Sequence, residues 1–189
     1  MKKIAIFALC LLLGACMFGT SQTAKFYTLP LPPTVRTSSA DYTGFVGISR
    51  VQLPKYVDRP QIVTKQKDSA QITISEYNRW AEDLSVLTAR ALAEDLSALL
   101  PKAQIKASQS KGEEFDKIIF VEISKLDAVM GENAEITAWY MVKNSSKQVT
   151  ARQKFTSTVQ IGKTYDDVAK GYSELLGQLS QQIAASLLK

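Results

Sequence analysis

The chain contains two thiols, Cys10 and Cys16, and these are its most reactive side chains. A cysteine nucleophile is normally activated by a neighbouring base, most often histidine, but the sequence contains no histidine. The same absence excludes Ser-His-Asp catalysis and removes the commonest metal ligand. The chemistry that remains for Cys16 is therefore covalent modification, not catalysis of its own.

No other pattern predicts an active site. The sequence has no nucleophile elbow, no phosphate-binding glycine loop and no carboxylates at metal-ligand spacing. The acidic residues at 113–116 are typical of a solvated turn. Those at 82–83 and 166–167 fall in expected first turns of helices, where the macrodipole favours them. We predict a non-enzymatic protein without metal or cofactor.

The net charge of +5 is weak and scattered. Nucleic-acid binding requires a basic stripe, usually with interleaved aromatic residues, and no such stripe is present. Nucleic acid is therefore not an expected partner.

The first sixteen residues have the layout of an export signal. Lys2 and Lys3 precede ten apolar residues at 4–13, which would span about 15 Å as a helix, half the core of a bilayer. The tetrad Leu-Gly-Ala-Cys at 13–16 resembles the bacterial lipobox, in which the cysteine receives diacylglycerol and, after cleavage, an acyl chain such as palmitate. The alternative is an ordinary signal peptide with a chance cysteine near its cleavage site.

The lipobox divides the chain into three parts. We predict a cleaved signal peptide at 1–15, a lipidated Cys16 with a short tether at 16–25, and one domain at 26–189. Position 17 is Met and not the Asp that commonly retains lipoproteins in the inner membrane. By resemblance to that sorting rule, the expected location is the outer membrane, with the domain facing the periplasm.

Hydrophobic periodicity in the domain predicts an α/β fold. The predicted fold is a single-domain sandwich of a mixed, mainly antiparallel sheet with two long amphipathic helices. The expected strands lie at residues 26–29, 44–53, 61–65, 71–75, 116–129, 134–143 and 148–161, and the expected helices at 82–100 and after an N-cap at Thr164. The consecutive apolar residues at 118–121 favour a central strand buried on both faces.

Four residues in the segment 51–82 are candidates for binding a partner: Tyr56, Arg59, Arg79 and Trp80. Tyr56 and Arg59 lie in a loop bounded by Pro54 and Pro60, and arginine and aromatic residues are enriched at interfaces. The alternative is structural. In that interpretation Arg59 closes an internal salt bridge and Trp80 packs at the entrance of the first helix.

Three motifs carry a family resemblance. They are F-Y-T-L at 26–29, the pattern G-x-S-x-V-x-L-P-x-Y-x-D-R-P-x-I-V at 47–63, and Y-N-R-W-A-E at 77–82. They resemble the PqiC (YmbA) family of auxiliary lipoproteins of ABC-type and MCE transport systems. The resemblance implies an accessory or docking subunit of intermembrane lipid transport that supports envelope integrity. It also implies a PqiB-like MCE protein as partner and, through it, an inner-membrane component.

Two questions stay open at this point. Tyr56 and Arg59 could contact the MCE partner or a neighbouring copy of the chain in a homo-oligomeric ring. Two other functions are alternatives: an activator of a periplasmic enzyme, and a factor in outer-membrane assembly.

Overall fold

The computed structural model describes residues 22–36, 40–107 and 114–188. The predicted signal peptide, Cys16 and Met17 lie outside these ranges. The described residues form one sheet and two long helices, as the sequence predicts. The strands are β1 (Lys25–Tyr27), β2 (Phe45–Ile48), β3 (Gln61–Lys65), β4 (Ile72–Trp80), β5 (Gln104–Ala107), β6 (Lys117–Val129), β7 (Asn133–Asn144) and β8 (Val149–Gln160), and the helices are α1 (Leu84–Leu99) and α2 (Tyr165–Leu187).

The long strand β6 organises the sheet. On one side it pairs antiparallel with β7, which pairs antiparallel with β8. On its other side β2 and β3 follow one another along the same edge, both parallel to β6. A single bridge between Gln52 and Glu122 lies between them. The sheet continues from β2 to β5 and from β3 through β4 to β1, so β6 is central, as predicted.

Both helices cover the same face of the sheet. They pack against each other, α1 packs on β2 and β5, and α2 packs on β7 and β8. The side chains that point towards them form the core, including Ile119, Val121 and Tyr140. No helix of the described residues packs on the opposite face of β6 to β8. Ile118 and Phe120 are therefore only half-buried, and the expected burial of β6 on both faces is wrong.

The closing helix begins where the sequence predicts. The Thr164 side chain accepts a hydrogen bond from the Asp167 backbone N–H at 3.1 Å, and the Asp167 carboxylate accepts one from the Thr164 N–H at 2.9 Å. This capping box satisfies two of the free donors at the helix start. The apolar stripe through Leu175, Leu176 and Leu179 is fully buried.

Three local expectations need correction. Helix α1 begins at Leu84, after the acidic pair, and Glu82 of that pair forms an ion pair with Arg90 at 2.8 Å. Strand β4 continues to Trp80, five residues beyond the predicted end. A register shift against β3 interrupts the alternation of β4 and hides this continuation in the sequence. Strand β5 pairs parallel with β2 but is too short to show a period of its own.

Candidate functional site

The helix-free face of the sheet contains an open groove of about 380 Å³. Its apolar floor is set by strand register. Met141 on β7 lies between Phe120 on β6 and Arg152 on β8, and Trp139 lies one position along the same face. Trp139 is 48% exposed, which is unusual for so large an apolar side chain. The residues of the groove are brought together only by strand pairing, so no linear sequence motif indicates them.

Charged side chains line the rim of this groove. Arg50, Arg152 and Glu122 border it, and none of them forms an ion pair with another residue that the structure describes. Arg152 contacts the Met141 sulfur at 3.6 Å. Tryptophan and arginine around an apolar centre are the composition of interface hot spots. We call this set of residues (Arg50, Phe120, Glu122, Trp139, Met141 and Arg152) the groove patch.

A third basic side chain, Lys143, extends the patch along Phe120. The Lys143 ammonium lies 5.1 Å from the centre of the Phe120 ring, within the range of a cation–π contact. Phe120 also lines a neighbouring hollow together with Ile118 and Lys143. The open face therefore combines an apolar strip with positive charge.

The predicted partner residue Trp80 lies inside the protein. It is 3% exposed, and its ring stacks on that of Tyr172 in α2 with centroids 6.0 Å apart. It offers no surface to a partner in this structure. The structural alternative, packing near the start of the first helix, describes Trp80 instead.

Tyr56 is half-buried and takes part in an internal network. Its hydroxyl donates to one oxygen of Asp127 at 2.6 Å, and the Lys65 ammonium donates to the other at 2.7 Å. Asp127 is 3% exposed, so both partners compensate a buried charge. Burial and the bond to Asp127 raise the pKa of Tyr56. The aromatic residue of the proline-bounded loop thus fastens the loop to β6.

Arg59 and Arg79 have no partner of this kind. Both are half-buried, and the Nε of each is buried without a hydrogen bond. Neither forms an ion pair with any residue in the described ranges, so the internal salt bridge considered for Arg59 is not present there. Their role in binding a partner remains a prediction.

One further buried carboxyl lies between the helices. Asp95 is 1% exposed and accepts a hydrogen bond from Ser180 at 3.0 Å, while its other oxygen has no partner. Burial raises the pKa of Asp95 to about 7, although the Ser180 bond opposes this. Asp95 on α1 and Ser180 on α2 thus form a buried polar contact between the two helices.

The residues that the structure describes contain neither a metal-ligand cluster nor a membrane-spanning helix. No group of three or more metal-ligating side chains is present among these residues. None of the helices formed by residues 22–36, 40–107 and 114–188 is long and apolar enough to cross a membrane.

The fold occurs in other proteins of known structure. The crystal structure of an uncharacterized protein superposes with a TM-score of 0.70 at 23% identity, covering 87% of this chain and 98% of that one. The crystal structure of a Xanthomonas campestris protein gives a TM-score of 0.66 at 13% identity, covering 85% and 92%. At these identities the similarity shows the fold alone.

The sequence itself defines the family. The model of the ABC-type transport auxiliary lipoprotein component family matches residues 27–184. The chain therefore belongs to this family, which confirms the resemblance drawn from its motifs. No curated protein matches the sequence.

Proposed function

We propose that this protein is a non-enzymatic docking subunit of an MCE-type intermembrane lipid transport system. Its family membership over residues 27–184 is the observation that carries the proposal. In this proposal the lipid on Cys16 holds the domain on the outer membrane, facing the periplasm. There it receives a PqiB-like MCE protein that leads to an inner-membrane component, and so supports envelope integrity.

The groove patch supports docking and suggests where the partner binds. Trp139 is exposed, and the arginines beside it form no ion pair with the residues that the structure describes. Tryptophan and arginine are the residues that dominate the energy of interfaces. The arginines favour a partner segment that presents acidic side chains together with an apolar residue for the floor. A ring of several copies of this chain would place more than one groove patch around a single partner.

Co-purification of the MCE protein tests this surface. Trp139→Ala combined with Arg152→Ala should reduce the amount recovered with the full chain by about tenfold or more, because each residue is expected to act as a hot spot. Val149→Ala is a matched control, since Val149 is also about half exposed (46%) and lies on β8 outside the patch. If the double variant retains the partner, the interface lies elsewhere, and Arg59 in the proline-bounded loop is the next candidate.

The anchor and its location can be tested independently of the partner. Cys16→Ser should abolish incorporation of labelled fatty acid, and continued labelling would contradict the lipobox assignment. Met17→Asp should move the protein towards inner-membrane fractions on a density gradient. Wild-type protein found in the inner membrane would contradict the sorting prediction without the variant.

A further inference from the structure

The edge of the sheet at β1 and β4 exposes apolar and basic side chains together. Phe26 on β1 is 65% exposed, the highest value among the large apolar residues that the structure describes, and Tyr77 on β4 is 46% exposed. Phe26 pairs in register with Arg79, and Lys25 with Asn78. We call Lys25, Phe26, Tyr77 and Arg79 the edge surface.

The positive charges of the edge surface lack acidic partners. Neither Lys25 nor Arg79 forms an ion pair with a residue in the described ranges, and the buried Nε of Arg79 has no acceptor. Two acidic side chains lie near the edge surface. Glu76 is exposed and adjacent to Tyr77 in the chain, and Asp166 acts on Tyr27 of β1 but is itself paired with Lys170 at 2.6 Å. The surface is therefore apolar with a positive balance, which suits an anionic ligand.

The short distance along the chain between Cys16 and β1 indicates which anionic ligand lies near the edge surface. The described part of the tether runs along Tyr77, since Gln22, Thr23 and Lys25 line a hollow together with it. Only nine peptide units separate Cys16 from Lys25, and nine extended residues reach at most about 30 Å. If Cys16 carries lipid, β1 is always close to the headgroups, and even weak affinity is effective at that local concentration.

We infer that the edge surface rests on the lipid bilayer and orients the domain there, a role that depends on the lipid anchor of the proposed function. Aromatic rings and basic side chains partition together into the interfacial region of membranes. Phe26 and Tyr77 would enter that region, while Lys25 and Arg79 meet anionic headgroups. The groove patch, which lies on β6, β7 and β8 with Arg50 after β2, is then left for the partner.

A fluorescent label on an introduced cysteine tests this orientation. The full lipidated protein is reconstituted into vesicles of phosphatidylethanolamine and phosphatidylglycerol that contain a lipid-attached quencher. Labels are placed by Phe26→Cys, Tyr77→Cys and, as control, Val149→Cys, which is as exposed as Tyr77 at 46%. We expect several-fold stronger quenching at positions 26 and 77 than at 149, and less quenching there in phosphatidylcholine alone.

Four results would overturn the inference. Equal quenching at the three positions would mean that the domain has no fixed orientation. Labels at 26 and 77 that are shielded only at high protein density would mean that a second copy covers the edge surface. Protein that does not float with the vesicles would contradict the lipid anchor and the inference together, whereas floating protein with unquenched labels would contradict the inference alone.

Discussion

The two faces of the sheet use the same strands for different purposes. On β7, Tyr140 points to the helices, is 1% exposed and bonds the Ser186 hydroxyl at 2.8 Å, while its neighbour Trp139 points away and is 48% exposed. Strand alternation makes both orientations unavoidable. On the covered face the residue types are explained by packing, so on the open face the same large residues need another reason. The proposed function supplies that reason, since docking of a partner requires an exposed surface of this composition.

The comparison predicts very different responses to truncation on the two faces. Leu176 in α2 is 1% exposed, so Leu176→Ala should lower the free energy of unfolding by about 2–5 kcal/mol through lost burial and a cavity. Trp139→Ala on the open face should lower it far less, although it removes a larger side chain. Denaturant unfolding of both variants measures the difference. Similar losses would mean that Trp139 belongs to the core.

The buried carboxyl of Asp95 on the covered face should make the free energy of unfolding depend on pH. The pKa of Asp95 is raised to about 7 by burial, so the folded state favours the protonated carboxyl. Its contribution is fully present below the ordinary pKa of 3.8 and is lost as the pH rises through about 7.

Asp95→Asn removes this dependence without changing the shape of the side chain. At pH 8 the variant should be more stable than the wild type by up to about 4 kcal/mol, since one pKa unit corresponds to about 1.4 kcal/mol. At pH 5 the gain in the free energy of unfolding should be smaller, because the folded wild type is then mostly protonated at Asp95. Thermal unfolding at both pH values measures it, and a variant that loses stability at pH 8 would show that the ionised carboxylate is well accommodated.

The hydrogen bond between Tyr56 and Asp127 should contribute less to the free energy of unfolding. Tyr56→Phe keeps the ring but leaves one oxygen of buried Asp127 without its 2.6 Å donor, which should cost about 1–3 kcal/mol. Tyr42→Phe is the control, because Tyr42 also packs against the core and its hydroxyl has no hydrogen bond among the described side chains. If Tyr56→Phe and Tyr42→Phe unfold alike, the loop is held by packing alone.

The sequence predicts the elements whose signals are local. The N-cap at Thr164 and the strand at 148–161 both depend on signals within a few residues, and the structure confirms both, with the strand at Val149–Gln160. Strand β5 was missed because four residues show no period, and the true end of β4 because its register shift hides the alternation. Local pattern fails where pairing with distant strands decides the structure.

The candidate sites show the same division. The groove patch could not be predicted, because Phe120, Trp139 and Arg152 lie on three strands and meet only through register. The proline-bounded loop was visible in the sequence, yet nothing local shows that Tyr56 reaches Asp127, which lies 71 residues away in the chain. Residue type indicates which side chains could bind a partner. Only the packing shows which of them are exposed and which form contacts within the domain.

The smallest expected change in the free energy of unfolding is that caused by replacing Arg79. Arg79 has a buried Nε without an acceptor, and an unpaired buried donor destabilises the folded state. Arg79→Met, which keeps the apolar stem and removes the guanidinium, should leave the free energy of unfolding unchanged or raise it by up to about 1 kcal/mol.

Arg90 is the matched control for Arg79, because it forms a two-pronged pair with Glu82 at 2.8 and 3.0 Å on the exposed side of α1. Arg90→Met should lower stability by about 0.2–1 kcal/mol, the usual range for an exposed ion pair. Denaturant midpoints with unchanged slopes measure both variants. If Arg79→Met loses more stability than Arg90→Met, the guanidinium of Arg79 serves the fold. If it loses none, the arginine is available to a ligand outside the domain, as the edge surface requires.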